Sequence, residues 1–303
     1  MLRHLREAGE PSPGMTSSYR GRIAPSPTGF LHIGHAMTFW HAQQRARDAG
    51  GKLVLRIEDL DRDRCRREFA DAISNDLRWF GIDWDEGPDI GGPFAPYVQS
   101  ERRRYYLEAL EALRIGGYVY PCKCSRKDVM QASLAPHDEN EEPIYPGTCR
   151  PAAAVPGEMN RPLGAATATA RATHWRFRVP DDERIDFFDE RVGKQCAVAG
   201  RDFGDFIVWR RDDVAAYQLA VVVDDAAMQI SEVVRGKDLL MSTFRQLLLY
   251  RALDLRPPKF YHGPLVLDEF GKRLAKRHSA LSLRALRERG ISPKELRALR
   301  YPL

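Results

Sequence analysis

The chain has 303 residues, of which 43% are hydrophobic and 29% charged, and a formal net charge of +5. That length leaves room for about two units of ordinary size, and the balance excludes a disordered or fibrous chain. The cationic excess is compatible with a nucleic-acid partner without requiring one. No apolar run approaches the roughly 18 residues of a membrane span, so no membrane association is expected, and the N-terminus lacks the apolar core of a secretory signal. Five cysteines, an odd number, argue against a disulfide framework and for a reducing cytoplasm.

Residues 1–19 read as a flexible tail, because Gly9-Glu10-Pro11-Ser12-Pro13-Gly14 cannot hold a helix; Met15 offers an alternative start. A short basic strand over 20–24 runs into a Pro/Gly loop, and a helix follows over about 36–47. Gly50-Gly51 stops that helix, and Leu53-Val54-Leu55-Arg56-Ile57 reads as a second strand. Strand, loop, helix, strand is half of a nucleotide-binding βαβ unit. Phe69, Ile73, Leu77 and Phe80 then line one face of a helix ended by Gly81. Ser100 is placed to cap another, with Tyr106, Leu110 and Leu113 inward and Gly116-Gly117 as its stop.

From there to about residue 200 the character changes to short cysteine-bearing strands, an Ala/Pro-rich loop over 151–172, and a period-two strand. That strand puts Trp175, Phe177 and Val179 on one face and Arg176 and Arg178 on the other. The nucleotide fold resumes with Phe206-Ile207-Val208-Trp209. Tyr217-Gln218-Leu219-Ala220-Val221-Val222-Val223 reads as a strand buried on both faces, as in a parallel sheet. Two short helices close the chain, one capped by Ser282 and ended by Gly290, the next opened by a capping box at Ser292-Pro293-Lys294-Glu295. The expected architecture is α/β: a split Rossmann-like catalytic domain over 20–115 and 201–281, an α+β zinc-bearing insertion over 116–200, and a helical C-terminus over 282–303.

The loop Ala24-Pro25-Ser26-Pro27-Thr28-Gly29-Phe30-Leu31-His32-Ile33-Gly34-His35 carries the chemistry. Gly29 and Gly34 permit close backbone approach, and two imidazoles stand at a helix start, where free N–H groups and the macrodipole attract phosphate. The loop resembles the first signature of class I aminoacyl-tRNA synthetases in its glutamyl form. The segment Arg56-Ile57-Glu58-Asp59-Leu60-Asp61, at a strand end where open α/β sheets bind ligands, matches that family's R-I-E-D-x-D. Gly271-Lys272-Arg273-Leu274-Ala275-Lys276-Arg277 falls where the second signature, K-M-S-K-S, belongs. Arg273 then replaces its first lysine, Ala275 its serine, and Lys276 is the retained second lysine.

The resemblance implies that Arg22, Ile23, Ala24, Pro25, Ser26, Glu58, Tyr217 and Arg235 bind L-glutamate. Glu58 holds the α-ammonium and the two arginines face the two carboxylates, in an order left open. It implies that His32, Gly34, His35 and Lys276 contact ATP, which comes with Mg²⁺, and that His32, His35 and Lys276 serve catalysis. Cys122, Cys124 and Cys149 look like most of a structural zinc site, which needs four ligands. His137 and Tyr145 are the local candidates for the fourth, and the family pattern C-x-C…Y-x3-C points to Tyr145.

Residues 278–303 are all that follow the second signature, where the glutamyl enzymes carry an anticodon-reading domain. The sequence is in this respect similar to the family's short glutamyl-Q branch. That likeness implies tRNA-independent activation of glutamate and its transfer to queuosine in the anticodon loop of tRNA(Asp). Arg126, Lys127, Arg150, Arg176 and Arg178 are the expected backbone contacts to that RNA. A short glutamyl-tRNA synthetase charging a 3′ end, and a non-catalytic module binding RNA or glutamate, are the alternatives.

Overall fold

The computed structural model describes residues 19–125, 127–129, 144–152, 173–265 and 282–298. The βαβ start is formed by β1 (Arg20–Ile23), α1 (Ile33–Asp48) and β2 (Lys52–Leu55). β1 and β2 pair in parallel, Arg22 opposite Val54 and Ile23 opposite Leu55. α1 begins a turn earlier than the sequence suggests, because His32 caps it: its Nδ1 accepts the Gly34 N–H at 3.1 Å. Next come α2 (Arg67–Phe80), ended by Gly81 at φ 92°, and α3 (Arg103–Ile115). Tyr106, Leu110 and Leu113 are buried as expected, but Ser100 does not cap α3. It lies in a 3-10 turn (Gln99–Arg102), and its N–H and hydroxyl both donate to Asp59, at 2.8 and 2.6 Å.

β3 (Val119–Cys122), β4 (His174–Phe177) and β7 (Phe206–Trp209) form an antiparallel sheet. β5 (Arg184–Asp189) and β6 (Gly193–Val198) make a hairpin. Its strand β5 runs parallel to β9 (Lys259–Gly263), which pairs in turn with β8 (Glu232–Gly236). β8 lies beside β1, to which Ser231 N–H donates at 2.9 Å through the Arg20 carbonyl. Residues 184–198 thereby belong to the four-stranded sheet β6-β5-β9-β8, whose edge strand β8 lies beside the β1–β2 pair of the βαβ start.

One expected strand is a helix. Tyr217–Ala227 form α4, with Leu219 through Asp225 all buried. A short apolar run cannot distinguish a buried strand from a buried helix by periodicity; here α3 and α5 (Leu240–Ala252) cover the helix, which is why it is apolar on most of its circumference. The one arginine of β4 also departs from expectation. Arg176 points inward, its Nε donating to Cys122 Sγ at 3.2 Å and its guanidinium 3.9 Å from the Tyr145 ring. Arg150 is half-buried and tied back by Asp181 at 2.8 Å and the Val179 carbonyl. Arg176 does not present its charge outward to an RNA backbone; Arg126 lies outside the described residues.

The C-terminal helices α6 (Leu283–Glu288) and α7 (Pro293–Ala298) form with the expected caps: Ser282 Oγ accepts from Ala285 N–H at 3.2 Å, and Ser292 N–H donates to Glu295 at 2.7 Å. Leu283, Leu286 and Leu296 pack into the cluster built on Ile23, Leu55, Leu77 and Phe80. The residue before α6 bridges back to the first-signature loop, Ser282 pairing with His32 and Leu283 N–H donating to the Leu31 carbonyl. The tail over 1–18, the loop over 153–172, His137, Arg273, Ala275 and Lys276 lie outside the described residues.

Candidate active site

A cleft of about 360 Å³ opens at the C-terminal ends of β1, β2 and β8. The loop leaving β1 is fixed by backbone bonds to the strand-end segment beside it: Arg56 N–H donates to Ile23 O and Glu58 N–H to Pro25 O, both at 3.0 Å. That pairing sets Ser26 and Glu58 on one lip. Tyr217, at the first turn of α4, and Arg235, near the end of β8, occupy the other. Arg22, Ala24, Pro25, Ser26, His32, Gly34, His35, Glu58, Tyr217 and Arg235 all line the cleft. Ile23 does not; its side chain is fully buried in the core between β1 and α1, which leaves only its backbone for a ligand.

The charges are arranged as a buried chain. Arg56, with no exposed surface, lies 3.0 Å from Glu58 and 2.7 Å from Asp225, and Asp225 lies 3.4 Å from Arg22. Arg22 also donates to the Val234 carbonyl at 3.0 Å. Arg235 donates through Nε to His262 and through Nη2 to Thr243, at 3.1 and 2.8 Å, while its buried Nη1 has no hydrogen-bond partner among the described residues. Burial, with Arg22 adding repulsion, lowers the Arg235 guanidinium below the ordinary arginine value. Burial also raises the Glu58 carboxyl, against the pull of Arg56 and Arg22. A molecule with two carboxylates and an ammonium would satisfy this pattern of two cations and one carboxylate.

His32 and His35 stack with ring centroids 3.7 Å apart. Since Nδ1 of His32 serves the helix cap, a phosphate contact from this residue falls to Nε2. Arg56, Asp225, His262 and Thr243 belong to the site's support without having been assigned a role from sequence. Arg56 and Asp225 could have been found there, because both adjoin motif residues; nothing in the sequence marks His262 or Thr243.

At the far end of β3, the sulfurs of Cys122, Cys124 and Cys149 lie within 4.8 Å of one another. Cys124 and Cys149 are 3.6 Å apart, and the Tyr145 hydroxyl lies 3.4 Å from Cys122 and 3.5 Å from Cys124. Tetrahedral zinc with ordinary bond lengths would set sulfurs roughly 3.8 Å apart and a sulfur and an oxygen roughly 3.5 Å apart, so the cluster fits such an ion. Burial pushes the Cys149 thiol up, but hydrogen bonds from Lys123 N–H, Tyr145 and the neighbouring thiols outweigh it and bring it to about 7. All five cysteines are free of disulfides, and among the described residues no helix is long and apolar enough to cross a membrane.

Residues 18–300 match the family described as tRNA synthetases class I (E and Q), catalytic domain. A protein of Nitratidesulfovibrio vulgaris named Glutamyl-Q tRNA(Asp) synthetase is 50% identical over 272 residues, covering 90% of this chain and 82% of its own. One of the same name from Symbiobacterium thermophilum is 50% identical over 275 residues, covering 90% and 83%. Among solved structures, a glutamate tRNA ligase from Elizabethkingia meningosepticum, crystallised with its amino acid, superposes with a TM-score of 0.73 at 31% identity. That match covers 86% of this chain and 52% of the ligase, so the chain spans about half the length of that enzyme. With a β1–loop–helix start, a charged cleft beside it and a family match over nearly its whole length, the chain belongs to the class I tRNA synthetases of the glutamyl and glutaminyl type.

Proposed function

We propose that the protein activates L-glutamate with ATP and transfers it to queuosine in the anticodon loop of tRNA(Asp). The observation that carries the first step is the pair of buried arginines, Arg22 and Arg235, facing a cleft closed on one side by a buried Glu58. Such a pocket is built for a dicarboxylic amino acid, and glutamine would leave one guanidinium without a counter-charge. The relatives' name, at 50% identity, supports the acceptor.

In the first step a glutamate α-carboxylate oxygen bonds to the α-phosphorus of ATP as the bond to the β-phosphate bridge breaks, giving glutamyl-adenylate and pyrophosphate. ATP arrives as its Mg²⁺ complex, which offsets charge on the departing phosphates. Glu58 orients the ammonium, the arginines fix the carboxylates, and the N-terminus of α1 with His32 and His35 receives the triphosphate. Lys276 is assigned to the charge that develops as pyrophosphate leaves. A hydroxyl of the queuosine ring then attacks the activated carbonyl and AMP departs. Both steps ask for positioning and charge rather than for a general base.

Labelled glutamate offered to purified tRNA(Asp) tests this reading. Label is expected on queuosine-containing tRNA(Asp) and not on the same tRNA lacking it, while glutamate-dependent ATP–pyrophosphate exchange proceeds without RNA. Protection of the 3′ diol from periodate after the reaction, or efficient charging of tRNA(Glu), would identify a 3′-end synthetase instead. Absence of exchange would leave a binding module.

The raised Glu58 carboxyl gives a pH signature. Protonation removes the counter-charge of the ammonium, so glutamate binding is full above the Glu58 pKa and is lost as pH falls through it, at a higher pH than the ordinary 4.5. The glutamate KM in exchange should therefore climb on acidification, and Glu58→Gln should raise it and flatten its profile. A wild-type KM that stays level down to the ordinary carboxylate range would remove Glu58 from the ammonium site.

We assign Cys122, Cys124, Tyr145 and Cys149 as the ligands of one structural zinc that staples the cysteine-bearing segment. Burial and the adjoining thiols push the Tyr145 phenol up, so the ion itself must supply the charge that ionises it. Purified protein should contain about one zinc per chain, and Cys124→Ser should lower metal content and melting temperature together. Metal-free protein of unchanged stability would eliminate the site.

A further inference from the structure

We propose that Asp189, His262 and Thr243 are positioning residues that hold Arg235 in the orientation needed to receive a substrate carboxylate; this rests on the glutamate-activating reading of the cleft. The three come from different elements, at the end of β5, within β9 and within α5. None of them lines the cleft. Asp189, His262 and Thr243 have no exposed surface, so their polar groups must be matched inside the protein.

The hydrogen bonds define a directed chain. Asp189 accepts backbone N–H groups from Arg191, Val192 and His262, and its Oδ2 lies 2.6 Å from His262 Nδ1. Those bonds outweigh the effect of burial and keep the Asp189 carboxyl below the ordinary aspartate value. A carboxylate at 2.6 Å requires the imidazole proton on Nδ1, which leaves the lone pair on Nε2. That lone pair receives the Nε–H of Arg235 at 3.1 Å. Burial and the Arg235 charge hold His262 down at about 4, so the ring stays neutral. Thr243 Oγ1 accepts from Arg235 Nη2 at 2.8 Å. Two of the three guanidinium nitrogens are thus held from behind, and buried Nη1 is the one left for a ligand.

The tautomer is the sensitive point. Asp189→Asn keeps the shape but presents an N–H to His262 Nδ1, driving the ring proton to Nε2, where it meets the Arg235 donor. ATP–pyrophosphate exchange by the full chain reads the consequence. Asp189→Asn should raise the glutamate KM by roughly ten-fold or more, the scale at which outer partners of a ligating group act. The ATP KM should stay within about two-fold, since a purely structural defect would move both. Thr243→Val should raise the glutamate KM by several-fold, and Thr243→Ser, which restores the acceptor, should return it toward wild type. The threonine pair keeps the test decisive if the asparagine variant does not fold.

Unchanged glutamate KM in both Asp189→Asn and Thr243→Val, with an active wild type, would overturn the positioning role alone. Equal increases in glutamate and ATP KM, or no rescue by serine, would reduce the trio to general packing. A wild type without glutamate-dependent exchange would overturn the activity, and the positioning role with it.

Discussion

Arg235→Ala is expected to remove nearly all glutamate-dependent ATP–pyrophosphate exchange. The side chain is buried, its Nη1 has no partner among the described residues, and its neighbours Thr243 and His262 are oriented toward it. Truncating one partner of a buried, hydrogen-bonded charge pair costs about 2–5 kcal/mol. That range corresponds to a loss of roughly 30- to several-thousand-fold in kcat/KM for glutamate. Arg235→Lys should recover little, because a single ammonium cannot reproduce the planar fork that reaches His262, Thr243 and a carboxylate together. The decisive measurement is kcat/KM for glutamate beside the KM for ATP. A lysine variant of near wild-type efficiency would show that a point charge suffices and that the fork has no recognition role.

Asp224→Ala should be the most destabilising single truncation in the core. Asp224 has no exposed surface and sits 2.5 Å from Arg102 Nε, 2.8 Å from Tyr106 Oη and from Gln99 Nε2, and 3.7 Å from Arg56. Its removal leaves the fully buried Arg56 and the nearly buried Arg102 with less counter-charge, a defect of about 3–5 kcal/mol. By contrast, Arg284–Glu288, with both side chains more than half exposed, should contribute no more than about 0.5 kcal/mol. Urea unfolding followed by far-UV circular dichroism compares Asp224→Ala with Glu288→Ala directly. Equal midpoints would show that water or rearranged side chains replace the Asp224 carboxylate.

Much of the cleft was legible because its residues stand inside contiguous motifs. Arg22, Ser26, His32, His35 and Glu58 fall within two short segments that one parallel strand pair brings together. Tyr217 and Arg235 line the same cleft, although the segment from Tyr217 reads as a strand in the sequence and is a helix in the structure. A run of Leu219, Ala220 and three valines carries no period, and only its packing against α3 and α5 decides that it is helical. Ser100 was misjudged for a related reason: capping ability is local, but Asp59, 41 residues away, claims its hydroxyl. Arg176 looked like an outward residue by strand alternation, yet Cys122 and the Tyr145 ring draw it inward. The support behind Arg235 was illegible altogether, since Asp189 and His262 are 73 residues apart and belong to no motif.

The placement of Arg22 and Arg235 has a thermodynamic consequence. Both guanidinium groups are buried, and burial with repulsion from Arg22 lowers Arg235 below the ordinary arginine value, so a counter-ion in the cleft would be stabilising. A dicarboxylate that binds there supplies counter-ions to the native state and none to the unfolded chain. By mass action such a ligand adds about 2.7 kcal/mol of stability at a hundred times its dissociation constant. The amino acid proposed as substrate would then also be a component of the folded structure, and the protein's resistance to unfolding would gauge how much of that amino acid surrounds it.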